Sequence, residues 1–458
     1  MECADEIDAR GYLLTLSEGL MTEIRSELRE PEASEAAERG ERLLRDLGLA
    51  DLRTFGTWQH AIHAYESVAL AVAAAHGGRS RTARSYESMD ELARDAEAQA
   101  EGRSRYTYWD AHEHGRRRQL EATIAARHGA ESALLLNSGM SAIAVALGAM
   151  RLSRGATILT GQRGHHETCD YLTRFVAPTG VKIVRVPPGN AEAVTSALRV
   201  VRPQLALFET AACAPGACAP SRVAQWFEAA PDTLFVIDNS VQSVLTRWYE
   251  GEAARSRRLV VVESATRYLA HRNMAGLAYG PEPLVAPLRD FARVTGQNLQ
   301  EKAFNYMRPA EIEHLDWTLR RHARNLRVFA SELRGIPGVD VTTPSSSADE
   351  ETRSSLFAEG TGCILFVRIR GPVKTSAPYR RLLSVWQAQA RKHGAWVPVR
   401  AGFGWSDTTA RVHEPGPVDP PEAALCLQVS VGVEPEPVAR RLAAALASAC
   451  TALEVLAW

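Results

Sequence analysis

From about residue 119 onward, hydrophobic residues of the chain alternate between a strand pattern and a helix pattern. Short apolar runs, typical of buried strands, are separated by segments whose apolar residues recur at helical spacing. The runs are Ala133–Leu136, Thr157–Thr160, Lys182–Val186, Leu205–Glu209, Leu234–Asp238 and Leu259–Glu263, and the helices between them are Met140–Met150, Glu167–Val176, Ala191–Val200 and Val223–Ala229. This alternation is typical of a parallel sheet covered on both faces. It predicts an α/β domain over residues 106–330.

The two ends of the chain have different patterns. Residues 1–105 carry apolar residues at helical spacing among many charges, as in Glu18–Leu28 and Glu35–Leu47, followed by a more apolar helix from Ala61 to Ala75. We expect a helical N-terminal extension, either a cap or arm that packs on a partner subunit or an independent module. After a long helix over Glu311–Leu333, strands and helices over residues 331–458 predict a smaller C-terminal α+β domain. Its predicted elements are Val339–Thr342, Cys363–Ile369, Tyr379–His393, Cys426–Val431 and Val438–Leu453.

Composition narrows the function classes. With 53 Lys and Arg against 54 Asp and Glu, the net charge is close to zero, which argues against a nucleic-acid or membrane-surface partner. The seven cysteines are scattered and form no Cys-x-x-Cys pair, so reduced thiols are expected. The acidic N-terminus does not resemble a signal peptide, and the most apolar window, Ala133 to Met150, is too short for a membrane span. We therefore expect a soluble cytoplasmic protein.

Three short segments at predicted strand ends have the residue types of a ligand site. In open α/β sheets, ligands bind outside the carboxyl ends of the strands. Ser138-Gly139-Met140 joins a strand to a helix, and the start of a helix presents backbone N–H groups to an anion. Asp238 ends a buried strand, where a carboxylate needs a partner. Ser264-Ala265-Thr266-Arg267 follows the strand Leu259–Glu263 and adds two hydroxyl groups and a guanidinium.

In this order, the segments resemble those of the cystathionine γ-synthase-like family, the Cys/Met-metabolism enzymes that use pyridoxal phosphate (PLP). The resemblance extends to Ser430-Val431-Gly432-Val433-Glu434, which matches the family's Ser-x-Gly-x-Glu strand end, and covers the chain from about residue 106 onward. It implies a fold-type I PLP-transferase fold, with a large, mostly parallel seven-stranded domain and a small C-terminal domain. It also implies a homodimer or homotetramer with sites at the subunit interfaces.

The resemblance also implies roles for individual residues. Ser138, Gly139, Met140, Ser264 and Thr266 match positions that hold the phosphate of PLP in the family. Asp238 matches the residue that pairs with the protonated pyridine nitrogen and makes the ring an electron sink. Tyr106 matches the tyrosine of a Tyr-x-Arg segment that reaches the phosphate in the neighbouring subunit.

The chain departs from the family pattern at several positions. Arg267 stands where the family has the lysine that holds PLP as a Schiff base, and Tyr108 stands in the place of the arginine of Tyr-x-Arg. His165 replaces a tyrosine that stacks on the ring. Gln428 replaces the arginine that binds the substrate carboxylate, and Arg411 is a candidate substitute for it. These departures argue against ordinary transsulfuration.

An arginine cannot replace the lysine chemically, because its guanidinium stays protonated and is neither a nucleophile nor a base at neutral pH. The chain has only four lysines, Lys182, Lys302, Lys374 and Lys392, and only Lys302 falls near the active-site entrance by resemblance. His165 and His166 are candidate proton carriers, because imidazole titrates near neutral pH. A loop-end hydrogen-bonding role explains them equally well.

A metal site is not predicted. The segment His112-Glu113-His114 and the pair His165-His166 with Cys169 supply ligand types, but their spacing fits no standard zinc pattern.

Three functions stay open at this stage. The first is a divergent enzyme of the lyase or transferase type that holds PLP, or an amino-acid-derived ligand, without a covalent bond, with Arg267 as an anion anchor. The second is a catalytically inactive subunit that regulates an intact homologue in a hetero-oligomer. The third is an enzyme that reuses the fold without PLP.

Overall fold

The structure is a computed structural model that describes residues 8–27, 32–77, 90, 94, 115–162, 164–187, 190–211, 223–249, 257–269, 273–304, 306–347, 350, 353, 357–371, 373–414 and 425–454. Its α-helices are α1 (Ala9–Glu27), α2 (Glu32–Leu49), α3 (Phe55–Gly77), α4 (Gly115–Arg127), α5 (Gly139–Ala149), α6 (His166–Tyr171), α7 (Ala191–Val201), α8 (Val223–Ala229), α9 (Glu282–Thr295), α10 (Glu301–Phe304), α11 (Pro309–Glu313), α12 (Leu315–Glu332), α13 (Ala377–Lys392) and α14 (Glu436–Glu454).

The strands form two sheets. They are β1 (Ser132–Leu136), β2 (Thr157–Gly161), β3 (Lys182–Val186), β4 (Leu205–Glu209), β5 (Leu234–Asp238), β6 (Leu259–Glu263), β7 (Gly276–Gly280), β8 (Val339–Thr342), β9 (Ile364–Ile369), β10 (Thr409–His413) and β11 (Cys426–Ser430). A seven-stranded sheet has the order β1-β7-β6-β5-β4-β2-β3, and a four-stranded sheet has the order β10-β11-β9-β8. This is the α/β fold that the sequence pattern and the resemblance predicted.

The chain divides into two compact units that are not consecutive in sequence. The first comprises the described parts of Met1–Leu52, Thr57–Ala149 and Glu263–Leu315, and the second those of Arg53–Gly56, Met150–Val262 and Asp316–Trp458.

In the first unit, the helical extension is anchored to the rest of its own chain through buried charges. Glu23 on α1 accepts hydrogen bonds from Arg308 Nη1 at 2.6 Å and from Arg116 Nη2 at 2.8 Å. Arg308 also donates to the carbonyl oxygen of Ala69 on α3 at 2.7 Å. A buried charge is tolerated where it is paired and hydrogen-bonded. This network therefore fixes α1 and α3 against residues 308–313, and Gly19 lets α1 approach Ala310 closely.

In the second unit, strands β2 to β6 run parallel and are nearly continuous apolar runs. β5 pairs with β4 on one side and with β6 on the other, so its side chains are buried on both faces of the sheet. Burial on both faces explains why Leu234–Asp238 has no polar alternation. It also explains why Asp238, the last residue of β5, is the first position of that strand with a carboxylate.

The four-stranded sheet has one apolar face and one mixed face. Leu365, Val367, Leu427 and Val429 point into a core completed by helices α12, α13 and α14. The intervening residues of β9 to β11, among them Phe366, Arg411 and Gln428, lie in register on the opposite face. This alternation is the period-2 pattern of an antiparallel sheet with one covered face.

Across the described ranges, no helix has both the length and the apolar character that crossing a membrane would need.

Candidate functional site

The turn between β1 and α5 is built around Ser138 and Gly139. The Ser138 hydroxyl oxygen accepts a hydrogen bond from the Ser141 N–H at 3.0 Å, which caps the start of α5. A side chain at Gly139 would lie 2.9 Å from Cβ of Ser264, so glycine allows the helix start and the Ser264 segment to touch. Three predicted phosphate positions, Ser138, Gly139 and Ser264, are therefore adjacent in the first unit.

Strand β7 supports this turn. A Cβ at Gly276 would lie 2.0 Å from the carbonyl oxygen of Ser138, so only glycine fits beside that backbone. β7 pairs antiparallel with β1, with Leu136 opposite Gly276.

The segment after β6 forms a turn held by Thr266. Its hydroxyl donates to the carbonyl oxygen of Ala275 at 3.0 Å and accepts from the Ala275 N–H at 2.9 Å. Because a hydroxyl has a single proton to donate, Thr266 in this geometry braces the turn. Arg267 follows it, half-buried, with its N–H donating to the carbonyl oxygen of Ser264 at 3.3 Å.

Behind the same turn, the last residue of β6 belongs to a buried polar cluster. The Tyr279 hydroxyl donates to Glu263 Oε1 at 2.5 Å, and the His128 ring stacks on the Tyr279 ring with centroids 4.2 Å apart. All three side chains are buried. The cluster holds the carboxyl end of β6, from which Ser264 and Arg267 extend.

In the second unit, Asp238 lies at the carboxyl end of β5 and is held by Ser240. Its Oδ1 accepts from the Ser240 hydroxyl at 2.5 Å and from the Ser240 N–H at 2.9 Å. Both hydrogen bonds favour the ionised carboxylate. Asp238 also keeps part of its surface accessible.

Glu209 is a residue of this site that the sequence prediction did not assign a role. It ends β4 in direct register with Asp238 on β5, and its Oε1 accepts from the His165 N–H at 2.5 Å. A Cβ at Gly164 would lie 2.7 Å from the same oxygen, so glycine admits the carboxylate against the loop. The signal was present in the sequence: Glu209, like Asp238, is a carboxylate at the end of an apolar strand.

The electrostatics of the two carboxyl groups are linked. Burial, and then the charge of Asp238, raises the pKa of Glu209 to about 8, although the His165 N–H opposes the rise. Burial also raises the pKa of Asp238, against the two hydrogen bonds from Ser240. Each side chain retains some accessible surface, but the protein atoms around it are close enough to remove most of its hydration.

The two predicted proton carriers lie next to this pair. His165 is half-buried, His166 is exposed, and their rings are tilted with centroids 4.8 Å apart. One turn further along α6, Cys169 Sγ accepts a hydrogen bond from Arg185 on β3 at 3.4 Å. The structure thus brings His165, Glu209 and Asp238 together within the second unit.

On the mixed face of the four-stranded sheet, Arg411 and Gln428 are cross-strand partners. Arg411 Nε donates to Gln428 Oε1 at 2.9 Å. Gln428 is buried, and Arg411 is half-buried. The two predicted substrate-binding residues therefore form one unit, with the guanidinium one strand away from position 428.

The remaining predicted residues lie outside the described residues or are described only in part. Tyr106, Tyr108 and His112-Glu113-His114 lie outside the described residues, and nothing is described of the side chain of Lys302. Met140 is half-buried in the first turn of α5. Among the described ranges, no group of three or more His, Cys, Asp and Glu side chains is arranged to hold a metal ion.

Comparison with known proteins identifies the family. The sequence model of the family "Cys/Met metabolism PLP-dependent enzyme" matches residues 81–386, about two thirds of the chain. The chain belongs to this family. As its description states, the enzymes of this family depend on PLP.

The curated relatives that match are plant enzymes. The chain is 27% identical over 267 residues to cystathionine gamma-synthase 1, chloroplastic, of Arabidopsis thaliana, covering 57% of this chain and 46% of that protein. It is 27% identical over 186 residues to the protein of the same name from Nicotiana tabacum, covering 40% of this chain and 34% of that one. The matched region thus spans less than half of these relatives.

Solved structures support the fold. Cystathionine gamma synthase from Xanthomonas oryzae pv. oryzae, in complex with aminoacrylate and cysteine, superposes with a TM-score of 0.65 at 18% identity. Its complex with cystathionine gives 0.64 at 17% identity. Each match covers 82% of this chain and 93% of the other. At this level of identity the likeness shows the α/β fold and nothing about the reaction.

Proposed function

We propose that this protein is a divergent enzyme of the Cys/Met-metabolism family that binds PLP, or an amino-acid-derived ligand, without a covalent bond to lysine. The observation that carries the proposal is the Asp238 carboxyl group, held at the carboxyl end of β5 by two hydrogen bonds from Ser240 that favour its ionised form. A carboxylate held in this way suits a cationic partner, such as a protonated ring nitrogen.

For the phosphate group of the ligand, we propose the backbone at the start of α5 together with Ser264. Gly139 brings the start of α5 within contact of Ser264, and a Cβ there would lie 2.9 Å from the Ser264 side chain. The first N–H groups of a helix have no intrahelical acceptor and attract anions. Ser138 and Ser264 would contribute hydroxyl groups to the same anion. Thr266 would act indirectly, through the turn that it braces with Ala275.

PLP, when bound, supplies an electron-withdrawing ring that stabilises negative charge at the amino-acid carbon. This chain's residues would position the ligand around that ring. By the resemblance, Arg267 stands in the lysine position of the family. Because a guanidinium carries a positive charge, we propose that Arg267 pairs with an anionic group of the ligand. Asp238 would hold the ring nitrogen in its protonated form. His165, on the loop anchored by Glu209, would carry protons.

For the carboxylate of the ligand we propose Arg411 together with Gln428. The guanidinium of Arg411 is oriented by its hydrogen bond to Gln428, and an oriented guanidinium suits carboxylate binding. Gln428 adds an amide donor on the same face of the sheet. By the resemblance, the family has its positive charge at the position of Gln428, whereas here we propose Arg411 for that role. This difference in position would change which carboxylate-bearing ligands fit.

The proposal is tested by absorbance and mass spectrometry with added PLP, before and after borohydride treatment. We expect saturable PLP binding and no mass increase after borohydride. In the matched variant Arg267→Lys, borohydride should fix one PLP per chain at position 267. A borohydride-fixed adduct in the unsubstituted protein would contradict the proposal that this protein, with Arg267 in place of the lysine, binds PLP without a covalent bond. No PLP binding by either protein would refute the cofactor role and favour an inactive partner subunit or a PLP-independent enzyme.

A further inference from the structure

Two carboxyl groups end neighbouring parallel strands in direct register. Glu209 on β4 is the register partner of Asp238 on β5, and paired residues of adjacent strands lie about 4.8 Å apart. Two carboxylates this close, both largely removed from water, do not ionise together at neutral pH, and such a pair holds one proton.

The hydrogen bonds around the pair are unequal. Asp238 Oδ1 accepts two, from the hydroxyl and the N–H of Ser240. Glu209 Oε1 accepts one, from the His165 N–H. Because each donated hydrogen bond stabilises the anion that accepts it, the negative charge is favoured on Asp238 and the proton on Glu209.

We propose that Glu209 is a positioning residue that holds the proton of this pair, so that Asp238 carries a single negative charge while Glu209 keeps the His165 loop in place. The pKa of about 8 that burial and Asp238 give to Glu209 agrees with this assignment.

Two titratable residues besides Asp238 lie beside Glu209 in the described part of the chain. His165 donates its backbone N–H to Glu209 Oε1, and Cys169 Sγ lies near Gly164 together with that oxygen. Arg185 donates to Cys169 Sγ. After burial, the charge of Asp238 is the main cause of the raised pKa of Glu209.

The assignment specifies a class of ligand. A single negative charge on Asp238 matches one positive charge on the ligand, such as a protonated ring nitrogen. If Glu209 were ionised as well, the two negative charges would exceed that positive charge. This use of the charge rests on the proposed function, whereas the location of the proton does not. When the pH rises and Glu209 ionises, its proton passes to solvent and the pair carries two charges.

The experiment measures thermal unfolding between pH 5 and pH 9.5 without any cofactor, on the full-length protein and on Glu209→Gln, Asp238→Asn and the control Glu167→Gln. A group whose pKa is raised in the folded state stabilises at low pH and loses that stabilisation as pH rises. The contribution of Glu209 to the wild-type Tm should therefore fall as the pH rises from about 4.5 and level off near pH 8. In Glu209→Gln this contribution should be absent, so that the variant gains stability relative to wild type progressively up to about pH 8 and keeps that gain at higher pH.

Asp238→Asn distinguishes the two possible locations of the proton. Without the neighbouring charge, Glu209 should titrate at lower pH, so the pH at which the Tm levels off should move down by at least about one unit. If Asp238→Asn abolishes the fall and Glu209→Gln leaves it unchanged, the proton belongs to Asp238 and the proposal is wrong. If neither substitution shifts the profile relative to Glu167→Gln, the pair holds no proton and the proposal is also wrong.

Circular dichroism at pH 6 checks that each variant is folded. If Glu209→Gln does not fold, potentiometric titration of wild type and Asp238→Asn counts the protons released between pH 5 and pH 9. An equal count, released at lower pH in Asp238→Asn, assigns the proton to Glu209, whereas one proton fewer in Asp238→Asn assigns it to Asp238 and overturns the proposal. PLP plays no part in these measurements. Absence of PLP binding would therefore refute the proposed function and leave the location of the proton unaffected.

Discussion

Arg411 and Gln428 face each other on neighbouring antiparallel strands, joined by a hydrogen bond of 2.9 Å from Arg411 Nε to Gln428 Oε1. Gln428 is 1% exposed, and its Nε2 has no hydrogen-bond partner among the described residues. Buried polar atoms are mostly paired in folded proteins. The pair therefore combines an oriented guanidinium with an amide donor that a carboxylate could accept from.

This relationship predicts a measurable dependence of Gln428 on Arg411. Arg411→Met should lower the free energy of unfolding by about 1–3 kcal/mol, because Oε1 of the buried amide loses its partner. Urea unfolding measures the loss, and Arg381→Met, at an exposed position of α13, is the control. The double variant Arg411→Met/Gln428→Leu should recover most of the loss, since removing both polar partners is nearly neutral. Equal losses in Arg411→Met and the control would contradict the coupling.

The buried charges that anchor the N-terminal extension predict a large effect for a small change. Glu23→Gln should destabilise the protein by about 3–5 kcal/mol, because it removes the carboxylate to which the buried guanidinium of Arg308 and that of Arg116 both donate. Urea unfolding provides the measurement. Glu18→Gln, at an exposed position of the same helix, should change the stability by less than about 0.5 kcal/mol. A similar loss in both variants would mean that helix charge, and not the buried network, is responsible.

The buried carboxyl group of Glu434, in the C-terminal part of the chain, should make a second pH-dependent contribution to the stability of the protein. It is fully buried near Asp407, and burial together with that charge raises its pKa from 4.5 to about 7. Because the folded state holds the proton more tightly, stability should fall as pH rises from about 4.5 to about 7, by about 3 kcal/mol in all. Glu434→Gln keeps the oxygen that accepts from the Thr408 N–H and should remove this fall.

The measurement for Glu434 is urea unfolding at pH 5 and pH 8. We expect Glu434→Gln to be more stable than wild type at pH 8 and close to it at pH 5, whereas Glu332→Gln, at an exposed position of α12, should match wild type at both. A variant that is equally destabilised at both pH values would show that the carboxyl group acts through packing alone.

The start of α5 has no room for a side chain at Gly139. Gly139→Ala should lower the affinity for PLP at least about tenfold, because Cβ would push the helix start away from the Ser264 backbone, whose Cα would lie 3.1 Å from it. Fluorescence titration with PLP measures the affinity, and thermal unfolding checks the fold. Gly48→Ala in α2 meets no atom within 4 Å and should leave both quantities almost unchanged. Unchanged PLP affinity in Gly139→Ala would argue against the helix start as the phosphate position.

The amino-acid sequence by itself determined the strand pattern of the α/β domain. The predicted bounds of Lys182–Val186, Leu205–Glu209, Leu234–Asp238 and Leu259–Glu263 agree with β3, β4, β5 and β6. These strands are buried on both faces, so their apolar runs stand out from the amphipathic helices around them.

Elements with weaker patterns were visible only in the structure. Strand β7 has glycine at both ends, and the backbone of Ser138 allows only glycine at its first position. The long helix predicted over Glu311–Leu333 is divided into α11 and α12, which end and begin on either side of His314. The helix predicted over Glu167–Val176 changes to a π-helix after Tyr171. Such changes depend on tertiary packing, which periodicity does not report.

The candidate site divides in the same way. The sequence predicted a ligand site at Ser138, Gly139, Asp238 and Ser264, because each lies at the end of an apolar run, where ligands bind in open α/β sheets. Only the structure paired Glu209 with Asp238, because that contact depends on the register of two strands that are far apart in sequence. The same holds for Arg411 and Gln428. Each residue had a possible role from the sequence separately, but only the strand pairing placed Arg411 opposite Gln428.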